Sequence, residues 1–170
     1  MKYIFLLLFI HSIVLSQGQS FIHYEDTLNQ FSIDLPPGWS HAKPSYPSVK
    51  LVVYRTPLTK TDTSKDNLNV NIIKTPGLSL EKTYSRFVKS LRATDNFKLI
   101  DSGDAVIGGR NFKWLIETHK YESDNIQLHN YDFVTYQDDK TYILTLVTFS
   151  NRFELIEPTF KRIANSFILK

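Results

Sequence analysis

The segment Tyr142-Ile143-Leu144-Thr145-Leu146-Val147-Thr148-Phe149 limits the possible folds more than any other stretch, because both of its alternating faces are mostly apolar. Successive side chains of a strand point to opposite sides of the sheet, so such a strand belongs in a sheet interior with cover on both faces. Two amphipathic segments offer that cover. Pro76-Gly77-Leu78-Ser79 opens the first helix, with Ser79 as its cap, and Leu80, Tyr84, Phe87, Val88 and Leu91 recur at helical spacing. Phe153, Ile156, Phe160, Ile163, Ala164 and Phe167 form the stripe of a C-terminal helix that starts near Asn151, with Glu157 four residues before Lys161. Pro158 in its middle marks a kink, or a start closer to the proline.

The remaining apolar stretches read as strands. Phe31–Leu35 alternates with period two and runs into the Pro36-Pro37-Gly38-Trp39 turn; Val49–Arg55 and Leu68–Lys74 are rich in β-branched residues. Phe97–Ile107, Phe112–Tyr121, Ile126–Tyr136 and Lys140–Phe149 are separated by short connections such as Gly108-Gly109, which demand antiparallel neighbours. The stretch from Pro57 to Asn67 has one apolar side chain and reads as a mobile loop, 57–67, between two strands. The expected architecture is α+β, an antiparallel β-sheet sandwiched between two helices. A lipocalin-like barrel fits the strand count, but the helix near residues 80 to 93 interrupts its meander.

Met1-Lys2, the apolar run Tyr3 to Leu15 and the small, polar exit Ser16-Gln17-Gly18 follow the pattern of a secretory signal peptide, residues 1–18. Cleavage after Ser16 and cleavage after Gly18 fit equally well. An uncleaved anchor is the alternative, although the run is shorter than the roughly 20 residues of a bilayer span. The expected product is one domain, residues 19–170, secreted or periplasmic and monomeric. Removing residues 1–18 takes away Lys2 alone among charged residues, leaving 19 basic against 17 acidic side chains. That balance is no nucleic-acid footprint. With no cysteine, thiol catalysis, thiolate metal knots and disulfides are excluded.

The strand and turn Phe31-Ser32-Ile33-Asp34-Leu35-Pro36-Pro37-Gly38-Trp39, the long helix after the fourth strand, the Gly108-Gly109 hairpin and the closing Phe160-Lys161-Arg162-Ile163-Ala164-Asn165-Ser166-Phe167 resemble PsbP-like and Mog1-like domains. The resemblance covers essentially the whole chain from Phe21 to Lys170. It implies the PsbP/Mog1-like fold and a non-catalytic domain that binds another macromolecule: plant members sit on photosystem II, Mog1 binds the GTPase Ran, and some related bacterial domains chaperone apolar segments. The matching positions are turn and core residues, so no partner transfers with them.

Three constellations are candidates for function. If the connection Glu122 to Asn125 sets the hairpin register so that His119 lies opposite His129, Glu117 shares their face, and two imidazoles and a carboxylate suit a divalent metal, the centre of a hydrolase. The plain alternative is a solvated hairpin end, with no cofactor. Lys82, Arg86, Lys89 and Arg92 line the side of the first helix away from its apolar stripe, with only Glu81 as a nearby counter-charge. They suit an acidic protein surface or anionic lipid headgroups, with an unknown protein or a membrane-associated complex as the partner, or are an ordinary solvated exterior. Trp39 and Tyr46, flanking Pro36, Pro37, Pro44 and Pro47, suit a groove for an apolar peptide or lipid chain; alternatively Trp39 plugs one end of the core. No nucleophile elbow and no phosphate loop is present, so the expectation is a binding or assembly module and not an enzyme.

Overall fold

A computed structural model describes residues 20–63, 66–121 and 126–170. The expected signal segment lies outside them. Along the chain run β1 (Ile22–Asp26), β2 (Phe31–Leu35), β3 (Trp39–His41), β4 (Val49–Arg55), β5 (Asn67–Lys74), α1 (Leu80–Leu91), β6 (Lys98–Ile107), β7 (Arg110–Tyr121), β8 (Ile126–Gln137), β9 (Lys140–Phe149), α2 (Phe153–Asn165) and β10 (Ile168–Leu169). A seven-stranded sheet has the order β3-β4-β5-β9-β8-β7-β6, and a three-stranded sheet the order β1-β2-β10. All the pairings are antiparallel.

The doubly apolar segment is β9, fourth of seven strands and flanked by β5 and β8. Tyr142, Ile143, Leu144 and Leu146 are all at least 93% buried, as the two-sided pattern demands. The hairpins on either side of β8 and β7 have chemically apt turns. Gly108 and Gly109 take φ of 56° and 76°, and Asp138 and Asp139 take 50° and 57°. Two successive positive φ values make the type I′ geometry that matches strand twist, and Asp tolerates it better than most residues with a Cβ.

The two faces of the large sheet are covered differently, and a second, three-stranded sheet adds to the two expected helices. On one face Phe112, Ile116, Tyr131, Phe133, Leu144 and Leu146 join a continuous apolar core with α2 and the small sheet. Phe167 bridges the layers, with ring centroids 5.7 Å from Phe31 and 6.1 Å from Phe112. Phe31–Leu35 therefore builds a second sheet instead of extending the first, because β1 and β10 supply its edges. The opposite face carries α1 alone. The large sheet ends on β3 and β6, which do not pair, so it is open and not a barrel.

The proline is accommodated without breaking α2. A 3-10 turn at Ser150–Arg152 leads into the helix, which passes through Pro158, and Glu157 pairs with Lys161 at 2.8 Å across that point. Part of the expected loop 57–67 lies outside the described residues, but one acid near its end is buried. Asp66 is 0% exposed, accepts from Thr148 Oγ1 at 2.6 Å and pairs with Arg55 at 2.9 Å and Arg152 at 3.0 Å. A buried carboxylate is tolerable because two guanidinium groups and a hydroxyl replace its water. It ties the start of β5 to β4, β9 and the entry of α2.

Leu144, 0% exposed at the centre of the sheet, sets the scale of the core. Leu144→Ala is predicted to cost roughly 2–5 kcal/mol in denaturant unfolding. Leu155→Ala, on the 73% exposed side of α2, should stay within about 0.5 kcal/mol. Equal effects would contradict the placement of β9.

Candidate functional site: the outer face of the first helix

The metal constellation comes apart at the register. Tyr121 pairs with Ile126, so Thr118 faces His129 and His119 faces Leu128. One residue of slip moves a side chain to the other face of a strand, and the two histidines end on opposite sides of the sheet. His129 lies on the α2 side, stacked on Phe153 at 3.7 Å and 5°, and burial pushes its pKa down. His119 stays with Glu117 on the α1 side. Its Nδ1 lies 3.0 and 3.1 Å from the two oxygens of the fully buried Glu117 carboxylate, and that hydrogen bond raises its pKa against the opposing effect of burial. Among the described residues no group of three His, Asp or Glu side chains could hold a metal ion. Zinc titration of the purified protein by calorimetry is therefore predicted to give no stoichiometric heat, and one-site binding would contradict the register.

The aromatic groove also fails to assemble. Trp39 opens β3 and packs against the core cluster, whereas Tyr46 is 71% exposed. One ring is thus part of the core packing and the other faces solvent, which favours the core reading of Trp39.

The helix face does assemble. Ser79 caps α1, its hydroxyl accepting from the backbone N–H of Lys82 at 3.3 Å. The turn before it is pinned by the β8–β9 hairpin: Asp139 accepts from Gly77 N–H at 3.1 Å through its side chain and from Thr75 N–H at 2.8 Å through its carbonyl. At the far end Lys120 N–H donates to Asp95 O at 2.9 Å, and midway Tyr84 Oη donates to Trp114 O at 3.3 Å. These contacts fix which way the helix faces. Tyr84, Phe87, Val88 and Leu91 are half-buried towards the sheet, while Lys82, Arg86, Lys89 and Arg92 are all exposed. Lys89 stands in the last turn and Arg92 at the C-cap, where the helix dipole favours cations.

Beside these cations is a feature the sequence did not reveal. A cavity of about 200 Å³ opens between α1 and the ends of β5 and β9, its apolar walls formed by Ile73, Leu78, Phe87 and Ile143, with Arg86 on its lining. Ile73 at its rim is 41% exposed. Thr83, the one buried residue of α1, lies on its lining, and the recess is the space left between the helix and the end of β5. The periodicity of α1 gave its two sides, but the gap depends on how far the helix sits from a strand remote in sequence.

Beneath α1 the sheet face is mixed, with Leu115, Val134 and Ile143 buried beside a polar group. Glu117, Asn130, Asp132, Thr141 and Thr145 alternate with the apolar residues of the opposite face. Thr145 Oγ1 donates to Asp132 Oδ1 at 2.6 Å, and burial, reinforced by the Glu117 charge, raises the Asp132 pKa to about 7.

The PsbP family model matches residues 19–169 of this chain. Among solved structures, cyanobacterial PsbP (CyanoP) of Synechocystis is similar with a TM-score of 0.66 at 23% identity, covering 89% of this chain and 93% of that one. LpqN of Mycobacterium tuberculosis, described as involved in cell envelope biogenesis, has a TM-score of 0.59 at 15% identity, covering 89% and 90%. The Saccharomyces cerevisiae Ran-binding protein Mog1p has 0.61 at 9% identity, covering 88% and 95%. At these identities the structural likenesses speak to the fold. A comparison with curated proteins gives no match.

Proposed function

The chain belongs to the PsbP family, and from that premise we propose that it is an exported, non-catalytic binding or assembly module that docks an acidic protein partner on the outer face of α1. The observation that carries this reading is the row of exposed cations Lys82, Arg86, Lys89 and Arg92 beside an apolar cavity lined by Phe87 and Ile143. A polar rim around an apolar recess is the usual anatomy of a protein interface, with charge steering the approach and an apolar anchor filling the recess. A bilayer suits the face less well. Helices that lie in a membrane interface bury a continuous apolar side, whereas the outward side of α1 carries Lys82, Ser85, Arg86 and Lys89, all exposed.

Export is supported by the N-terminal pattern of a short basic start, an apolar run and small residues. The non-catalytic reading is supported by the commitment of two of the buried charged groups to partners within the fold. His119 is committed to Glu117, and Asp66 to Arg55 and Arg152.

The triple variant Lys82→Glu, Arg86→Glu, Lys89→Glu tests the reading by affinity purification from the native cells. Because the substituted side chains are exposed, the variant should fold with an unchanged circular dichroism spectrum. It is predicted to lose the partner, with binding weakened more than about tenfold and wild-type binding falling as salt is raised. Unchanged binding by the variant would remove the proposal, and wild-type binding to phosphatidylglycerol vesicles without any protein partner would replace it with a membrane role.

A further inference from the structure

The sheet face beneath α1 holds a group that its surroundings do not balance. Glu117, Asn130 and Asp132 are 0%, 7% and 1% exposed and share one face of β7 and β8. Glu117 is matched by His119. Asp132 has one donor, Thr145 on Oδ1, while its Oδ2 and the neighbouring Asn130 Oδ1 are buried without a hydrogen-bond partner. A buried acceptor left in this way costs about 1–3 kcal/mol, and more if charged.

The groups facing Asp132 do not supply the missing charge. From β7 come Glu117, which repels a carboxylate, and His119, which attracts it but already serves Glu117. From α1 comes Tyr84, and from β9 the neutral Thr145. Lys113, near Tyr84 along β7, is paired with Asp104 of β6 at 2.8 Å. The four cations of α1 are on its exposed side.

We propose that Asp132 is held as the neutral acid while α1 is seated on the sheet, and that release of its proton to solvent loosens the helix. The α1 layer is therefore a proton-controlled cover. On the seated side the carboxyl titrates near 7, raised first by burial and then by Glu117. With α1 lifted, water reaches the group and it titrates in the ordinary carboxylate range. A group whose pKa is raised in the closed state favours that state at low pH. Its contribution declines as pH rises through the window, by up to about tenfold in the opening equilibrium per pH unit, and is gone above about 7. α1 is the element able to respond, with one fully buried residue and a cavity at its flank. The inference concerns the helix of the docking reading but stands without it, because its test needs no partner.

Amide hydrogen exchange of the purified protein, corrected for intrinsic rates, reads the device directly. Protection of the α1 amides is predicted to fall about tenfold or more between about pH 5 and 7 and then to level off, while α2 amides do not follow. Asp132→Asn keeps the shape and the Thr145 bond and has no proton to lose, so its α1 protection should not fall between about pH 5 and 6, below the range in which His119 titrates. Wild-type protection that does not change with pH, or a variant that retains the slope, would overturn the proposal. Carbon NMR of the Asp132 carboxyl in the wild type decides the matter even if the variant does not fold. A midpoint near 7 that coincides with the loss of α1 protection supports the cover, and one in the ordinary carboxylate range overturns it.

Discussion

A central strand that is apolar on both faces cannot be stable until each face is covered, and the rest of this molecule is arranged around that requirement. β9 is the strand, with β5 and β8 beside it, and Leu144 and Leu146 on one face and Ile143 on the other are at least 93% buried. The cover of the first face is thick: α2 and a three-stranded sheet meet through Phe31, Phe112 and Phe167. The buried Asp66, held by Arg55, Arg152 and Thr148, fixes the entry of α2 over that face. The cover of the second face is thin, a single helix over a floor in which Leu115, Val134 and Ile143 alternate with threonine, asparagine and acid.

This asymmetry separates the stabilising side from the side proposed to dock a partner. The thick side holds most of the large buried aromatics and carries the fold energetically. The thin side leaves an open recess, a row of cations and a buried carboxyl whose charge state depends on the seating of α1. Binding surfaces and moving elements come from the less stable parts of a structure, because they must exchange one set of contacts for another.

How much of this could be read in the sequence follows from the length and period of each signal. β9, α1, α2 and the Gly108-Gly109 turn were legible because eight or more residues repeat one pattern, or because Gly-Gly marks a backbone that few residues adopt. β3 and β10 were not, since strands of three and two residues carry too few alternations, and β1, as short as β2, has only Ile22 and Tyr24 as apolar side chains. The basic side of α1 was visible, being a helical period. The metal site was misread because facing pairs across β7 and β8 depend on where Tyr121 meets Ile126, and one residue reverses every face. Asp66 was invisible for another reason: its partner Arg152 lies 86 residues away, and a polar stretch gives no hint that one of its acids will be buried.

The central claim is that the thin side, and not the thick one, meets the partner. Site-specific photo-crosslinking in the native cells addresses it most directly, with the probe placed at Ser85 or Ser90 on the exposed side of α1 and, in a parallel sample, at Leu155 on the exposed side of α2. Discrete protein adducts from the α1 positions and none from Leu155 are the predicted result. Adducts from Leu155 with none from α1 would place the docking surface on the wrong side of the sheet and contradict the account.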